Sequence, residues 1–144
     1  MLPIYKLHIY PVIALVFLTF GIMVLMVKRR FKAIRSGEIP PVYFKDYQQR
    51  ESFLIPEKVQ LATRHYGNLF ELPVLFYALI PLLILTDKTD GLTLFFSWAF
   101  VISRYVHAII HVTNNKLFWR MRAFVIGSFI LLLLWARFTF QLLM

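Results

Sequence analysis

The chain has 144 residues, of which 60% are hydrophobic and only 16% charged, whereas a soluble domain is nearer half apolar and a quarter charged. That imbalance excludes a water-soluble fold. The net charge of +9 does not point to nucleic acid, because eight of the 16 basic residues (Lys28, Arg29, Arg30, Lys32, Arg35, Lys45, Arg50 and Lys58) crowd beside one apolar run, where they set topology and meet anionic lipid.

Four apolar runs predict membrane spans over residues 9–27, 64–86, 92–112 and 118–143. Each is long enough, at 1.5 Å per residue, to cross a hydrocarbon core of roughly 30 Å. Lys6 precedes the first run as it would in a secretory signal, but the run is too long and residues 26–30 offer no small-residue cleavage site, so a retained span is expected. The basic loop of residues 28–58 follows, and within it Gly37, Pro40, Pro41 and Pro56 preclude a continuous helix over residues 36–56. Pro73 and Pro81 fall inside the second span, where each is expected to bend it. Residues 87–91 form a short polar turn, and residues 113–116 offer Asn114 and Asn115 as caps for the last helix. Short turns force antiparallel neighbours, giving an all-α, up-down four-transmembrane-helix bundle with one domain over residues 1–144. Because the second loop carries only Lys88, beside Asp87 and Asp90, the first and third loops are expected in the cytoplasm and both termini on the non-cytoplasmic side.

Ionisable residues inside the spans carry the most information, since a charge at the bilayer centre costs at least about 2.5–3.5 kcal/mol. Arg64, Asn68 and Glu71 lie at i, i+4 and i+7 and share one helix face; His65 lies about 100° round the helix. Arg104, His107 and His111, at i, i+3 and i+7, form a second stripe on the third span. Arg120 and Arg122 open the fourth span, and Arg137 is far enough along it to snorkel to the outer interface. Interhelical bonding, with Glu71 paired to Arg104 or Arg64, is the structural alternative. Against it stands the surplus of Arg64, Arg104, Arg120 and Arg122 over one embedded carboxylate, which suits an anionic ligand held bidentately. A metal at His107, His111 and Glu71 ranks lower, because the paired Glu-x-x-His pattern of carboxylate-bridged bundles is absent and Arg104 would repel a cation. No metal ligand is therefore assigned. With no cysteine in the chain, thiol chemistry must use a thiol brought by a ligand.

Residues 64–73, RHYGNLFELP, resemble the R-x-x-x-N-x-x-E signature that opens the second helix of the MAPEG superfamily, the membrane-associated proteins of eicosanoid and glutathione metabolism. Ser103, Arg104, Tyr105, Val106 and His107, then His111, Asn114 and Arg120, resemble that family's third-helix and loop signature. The resemblance covers nearly the whole chain. It implies a homotrimer with a glutathione site between subunits, opening toward the cytoplasm, with glutathione as co-substrate. Carried over by position, Arg30, Arg64, Asn68, Glu71 and Arg104 would bind glutathione, His107 and His111 would stand where tyrosines hold the tripeptide in one branch, and Arg120 would be the thiolate-stabilising catalytic arginine. Gln60 and Leu61 depart from the Glu-Arg pair common before the second-helix arginine.

The implied function is a glutathione-dependent transferase or peroxidase acting on hydrophobic electrophiles or lipid hydroperoxides that arrive from the bilayer. A noncatalytic lipid-binding or scaffold protein of the same fold is the alternative, and a metal-binding membrane protein ranks third. The departures indicate a divergent bacterial branch in the inner membrane, or the endoplasmic reticulum for a eukaryotic chain.

Overall fold

The computed structural model describes residues 3–40 and 54–144. Among these residues the secondary structure is entirely helical: α1 (Ile4–Leu7), α2 (Ile9–Arg35), α3 (Glu57–Asn68), α4 (Leu72–Leu85), α5 (Gly91–Val112) and α6 (Leu117–Leu143). Four stretches are long and apolar enough to cross a membrane: α1 with α2, α3 with α4, α5, and α6. The chain is thus an all-α, four-span membrane bundle. Of the loop cations, Lys45 and Arg50 lie outside the described residues.

α2 runs about two turns past residue 27 and carries Lys28, Arg29, Arg30, Lys32 and Arg35 at its C-terminal end, where cations offset the negative end of the helix dipole. It stops at Gly37, whose φ of +76° costs glycine little. The Gly37 N–H then donates to the Ile34 carbonyl, and Ile39 folds back so that its N–H donates to Ala33. Ile39 is buried against Ala33 and Val59, which anchors this turn to α3.

Of the two prolines in the second span, only Pro73 coincides with a break. Pro73 cannot donate a backbone hydrogen bond, and the chain leaves α3 one turn before it, through tight turns in which Leu69, Phe70 and Glu71 donate to Tyr66, Gly67 and Asn68. The helix restarts with Pro73 in its first turn, a position that needs no donor. Pro81 lies inside α4, which continues through it, as membrane helices tolerate when neighbours enclose the freed carbonyl.

The core forms where the spans cross. Leu15 and Ile22 of α2, Leu79 and Leu83 of α4, and Leu131 and Leu134 of α6 pack together, around a stack of Phe76 on Phe100 with ring centroids 4.9 Å apart. α5 and α6 share the most extensive contact. Only 28% of the most apolar stretch of the first and last spans is buried. Phe17, Phe20, Phe129 and Leu132 face outward, so hydrocarbon or further protein must cover them.

Polar clasps close both ends. At one, Arg29 donates to the carbonyls of Lys58 (2.9 Å) and Val112 (2.8 Å), tying α2 to α3 and α5. At the other, where His8 and the end of α6 lie, Asp90 caps α5: it accepts from the Thr93 N–H (2.7 Å) and donates its own N–H to Thr93 Oγ1 (3.0 Å). His8, fully buried, donates Nδ1–H to the Ile4 carbonyl and meets Thr93 Oγ1 at 2.9 Å. Arg137 is ion-paired with Asp90, and Gln141 also donates to it at 3.2 Å. Arg137 therefore joins α6 to the start of α5, where snorkelling to the interface was expected. An acidic N-cap within reach accounts for the difference.

Burial by itself would raise the Asp90 carboxyl, but its bonds from the Thr93 amide, from Arg137 and from the Thr93 hydroxyl outweigh that and hold it below the ordinary value. A depressed carboxyl contributes stability that is complete above its unfolded value of about 3.9 and is lost as pH falls through the folded value. Asp90→Ala is expected to cost about 0.5–2 kcal/mol through the lost cap. Arg137→Gln, which keeps the cap, is expected to cost only about 0.2–1 kcal/mol. Thermal unfolding in detergent at pH 7 checks this order, and repeating it at successively lower pH below about 4 should show wild type progressively losing an advantage that Asp90→Asn lacks throughout.

Candidate functional site

The expected site residues fall into two layers. Arg64 and Glu71 are exposed on the outward face of the second span, and Asn68 between them is half-buried. The break over residues 69–71 leaves Glu71 just ahead of α4 with no side-chain hydrogen bond at that cap. Arg30 reaches across from α2 and donates to Thr63 Oγ1 at 3.2 Å. Between them lies a cavity of about 300 Å³ lined by Arg30, Ile55, Val59, Gln60, Thr63 and Arg64, so two guanidinium-bearing residues share one small cleft at the basic end of the bundle.

The second layer is enclosed. Arg104, His107 and His111 are all nearly fully buried, and His65 joins them from α3 with 1% exposure. The three imidazoles contact one another, with ring centroids 4.9 Å (His65 to His111), 5.4 Å (His65 to His107) and 5.7 Å (His107 to His111) apart. His107 Nδ1 lies 3.1 Å from the Arg120 carbonyl, and because a carbonyl only accepts, Nδ1 is the donor and Nε2 is left for another partner. That Nε2, both His65 nitrogens and His111 Nδ1 have no hydrogen-bond partner. Among the described residues no three His, Asp or Glu side chains are arranged to hold a metal ion.

Arg104 is occupied within the protomer. Its Nη2 donates to the carbonyls of Ala123 (3.0 Å) and Phe124 (3.1 Å) on α6, its Nε to Ser103 Oγ (3.4 Å). Its guanidinium lies 5.4 Å from the ring centroids of both Phe100 and Phe124, a cation–π arrangement. The position depends on Gly127, where a β-carbon would overlap the Arg104 guanidinium and Ser103 Oγ. Neither polar stripe nor signature motif includes Gly127. The signal lies in the sequence: it is the sole glycine of the last span, and a residue without a side chain there permits close helix approach.

Arg120 is half-buried, and its Nη1 donates to Asn115 Oδ1 at 2.6 Å. Arg122, two residues on, is exposed and lies over the rings of Phe118 and Trp119, at 4.1 and 5.6 Å. The two arginines thus occupy different faces of α6. The only ion pair between described residues is Arg137 with Asp90, so Glu71 pairs with neither Arg64 nor Arg104. Interhelical pairing does not account for Glu71 within one protomer.

These features define a four-span membrane protein whose basic end holds an arginine-rich cleft on its outer face and a histidine cluster within. The MAPEG family model matches residues 8–140, nearly the whole chain, and the protein belongs to the MAPEG family. Neither a curated protein nor a solved structure matches it. The family includes glutathione transferases and peroxidases as well as other members.

The Gly127 contact yields a direct test. Forcing a methyl group into a packed site typically costs about 1–3 kcal/mol, so Gly127→Ala is expected to lower the unfolding midpoint in detergent. Combined with Arg104→Ala, which removes the overlapping guanidinium, the added cost of the methyl group is expected to shrink. Strictly additive losses would contradict the packing described.

Proposed function

We propose that the protein is a glutathione-dependent transferase or peroxidase acting on hydrophobic or lipid electrophiles at the membrane. The observation that carries this reading is the outward polar stripe of Arg64, Asn68 and Glu71 in a membrane span, with neither Arg64 nor Glu71 ion-paired among the described residues. Charged groups facing hydrocarbon are costly, so such a stripe calls for a neighbouring subunit, a zwitterionic ligand, or both. Glutathione supplies both signs, with carboxylates for Arg64 and Arg30 and an ammonium for Glu71.

On this reading the protein is a homotrimer, and the cleft is completed by the next subunit and opens to the cytoplasm, with both termini on the opposite side. Hydrophobic acceptors arrive through the lipid-facing helix surfaces. Arg120 stabilises the thiolate. The positive end of the α6 dipole acts in the same direction. Arg104, His107 and His111 act from behind the ligand surface, Arg104 by holding α6 against α5 and His107 by fixing the backbone of Arg120. That enclosure also favours a second reading, a noncatalytic lipid-binding member of the same fold, in which the buried polar groups only brace the bundle. Calorimetric titration with glutathione separates the two: saturable heat supports the enzyme, and its absence supports the lipid binder.

A free thiol of pKa about 8.5 is only roughly 3% thiolate at pH 7. Lowering the midpoint by two units requires about 2.7 kcal/mol, within reach of one guanidinium shielded from water. The ultraviolet thiolate signal of the glutathione complex is therefore expected to titrate well below 8.5 in wild type. In Arg120→Ala the midpoint should rise by about 1–3 units, whereas Arg122→Ala, pointing to another face, should leave it unmoved. Glu71→Gln and Arg64→Ala are expected to weaken glutathione binding in protein that still assembles as trimers, and unchanged affinity in both would contradict the assignment of the outer face.

A further inference from the structure

We infer that Asn115 is a positioning residue for Arg120, directing its guanidinium through a neutral acceptor so that the full positive charge remains for an anion. The inference rests on the proposed thiolate-stabilising role of Arg120. Asn115 lies in the turn between α5 and α6, with φ at +45°, a left-handed conformation that asparagine and glycine tolerate better than other residues. Its own N–H donates to the Ile110 carbonyl at 2.8 Å, fixing the turn to the last turn of α5. The side chain then reaches forward to Arg120, five residues later, at 2.6 Å. A guanidinium has donors only, so the atom that meets it is the amide oxygen.

Two further contacts hold the same residue. The Arg120 N–H donates to the Lys116 carbonyl at 3.0 Å, and the Arg120 carbonyl accepts from His107 Nδ1. Backbone and side chain of Arg120 are therefore each tied to the end of α5. The acceptor chosen for the side chain is uncharged. A carboxylate here would orient the guanidinium equally well, but it would neutralise the charge that a thiolate needs. With no ion pair to Arg120 among the described residues, none of them neutralises its charge.

The test compares Asn115→Asp and Asn115→Gly with wild type and Arg120→Ala, following two quantities. One is the titration midpoint of the thiolate signal of bound glutathione. The other is the affinity for S-methylglutathione, which has the same peptide but no ionisable thiol. Asn115→Asp keeps the shape and the turn while adding a negative charge, and is expected to raise the thiol midpoint by about 1–2 units, with S-methylglutathione affinity within about twofold of wild type. Asn115→Gly keeps the left-handed turn but loses the acceptor, and is expected to raise the midpoint by a smaller amount. Glycine suits this backbone, so that variant remains informative if Asn115→Asp fails to assemble.

If Arg120→Ala raises the midpoint but both Asn115 variants leave it in place, the inference is wrong while the proposed function stands. A loss of S-methylglutathione affinity as large as the effect on the thiol would make Asn115 a general structural residue and would also overturn it. If Arg120→Ala itself leaves the midpoint unchanged, the thiolate role of Arg120 falls, and the role of Asn115 falls with it.

Discussion

Within a bilayer no water is available to satisfy a buried donor, and the seat of Arg104 shows how this protein meets that constraint. A guanidinium enclosed between two spans must find acceptors in the helices themselves. Helical carbonyls already accept from amides four residues on, yet each keeps a second lone pair. Arg104 uses that spare capacity at Ala123 and Phe124. Access to those carbonyls requires a flank without a side chain, which Gly127 provides. The close packing of α5 on α6 and the register between them both follow from this seat. The Asp90 cap and its Arg137 partner then fix the same helix pair at the other end.

With α5 and α6 pinned at two points, the first half of the bundle sets where the outer polar groups go. Arg29 draws α2 against α3 and α5, and Arg30, one residue on, faces Thr63 on α3. The break before Pro73 ends α3 at Asn68, so Arg64, Asn68 and Glu71 stand beside an interrupted backbone rather than within a continuous helix. Broken helices at membrane depth are stable only where protein or a polar cavity covers them. The protomer covers the inner side of this break, where Leu69 is buried, and leaves Phe70 and Glu71 outward. On the proposed reading, a neighbouring subunit covers the remainder.

The spans were legible because their signal is collective: roughly 20 apolar residues cannot be misread by moving one of them. The end of the first helix was less so, since Lys28 to Arg35 reads as loop by hydropathy while it is helix by propensity and dipole. Both prolines carried the same sequence signal, yet only Pro73 has a break beside it. Hydropathy also could not show that Arg137 has a partner, because Asp90 is 47 residues away in the chain. Periodicity placed Arg64, Asn68 and Glu71 on one face and Arg104, His107 and His111 on another. It could not say which face is turned outward. A helical wheel gives phase without neighbours, and the inward choice for α5 is decided by acceptors on α6 that its own sequence does not reveal.

His65 shows the same limit in a sharper form. Lying off the Arg64 stripe by about 100°, it carried no assignment, and that angle is the one that turns it inward onto His107 and His111. The histidines thereby separate two populations of cation that the sequence presents as one surplus. Arg104 is held by main-chain oxygens behind them, while Arg64 stands at the surface in front. Arg120 belongs to neither: its backbone is bonded to His107 and its side chain to Asn115. It alone among these arginines is tied to the buried cluster while its guanidinium remains only partly covered. A group that must present charge to a reacting atom needs both properties, because rigidity without access stabilises only the fold, and access without rigidity spends binding energy on ordering the side chain.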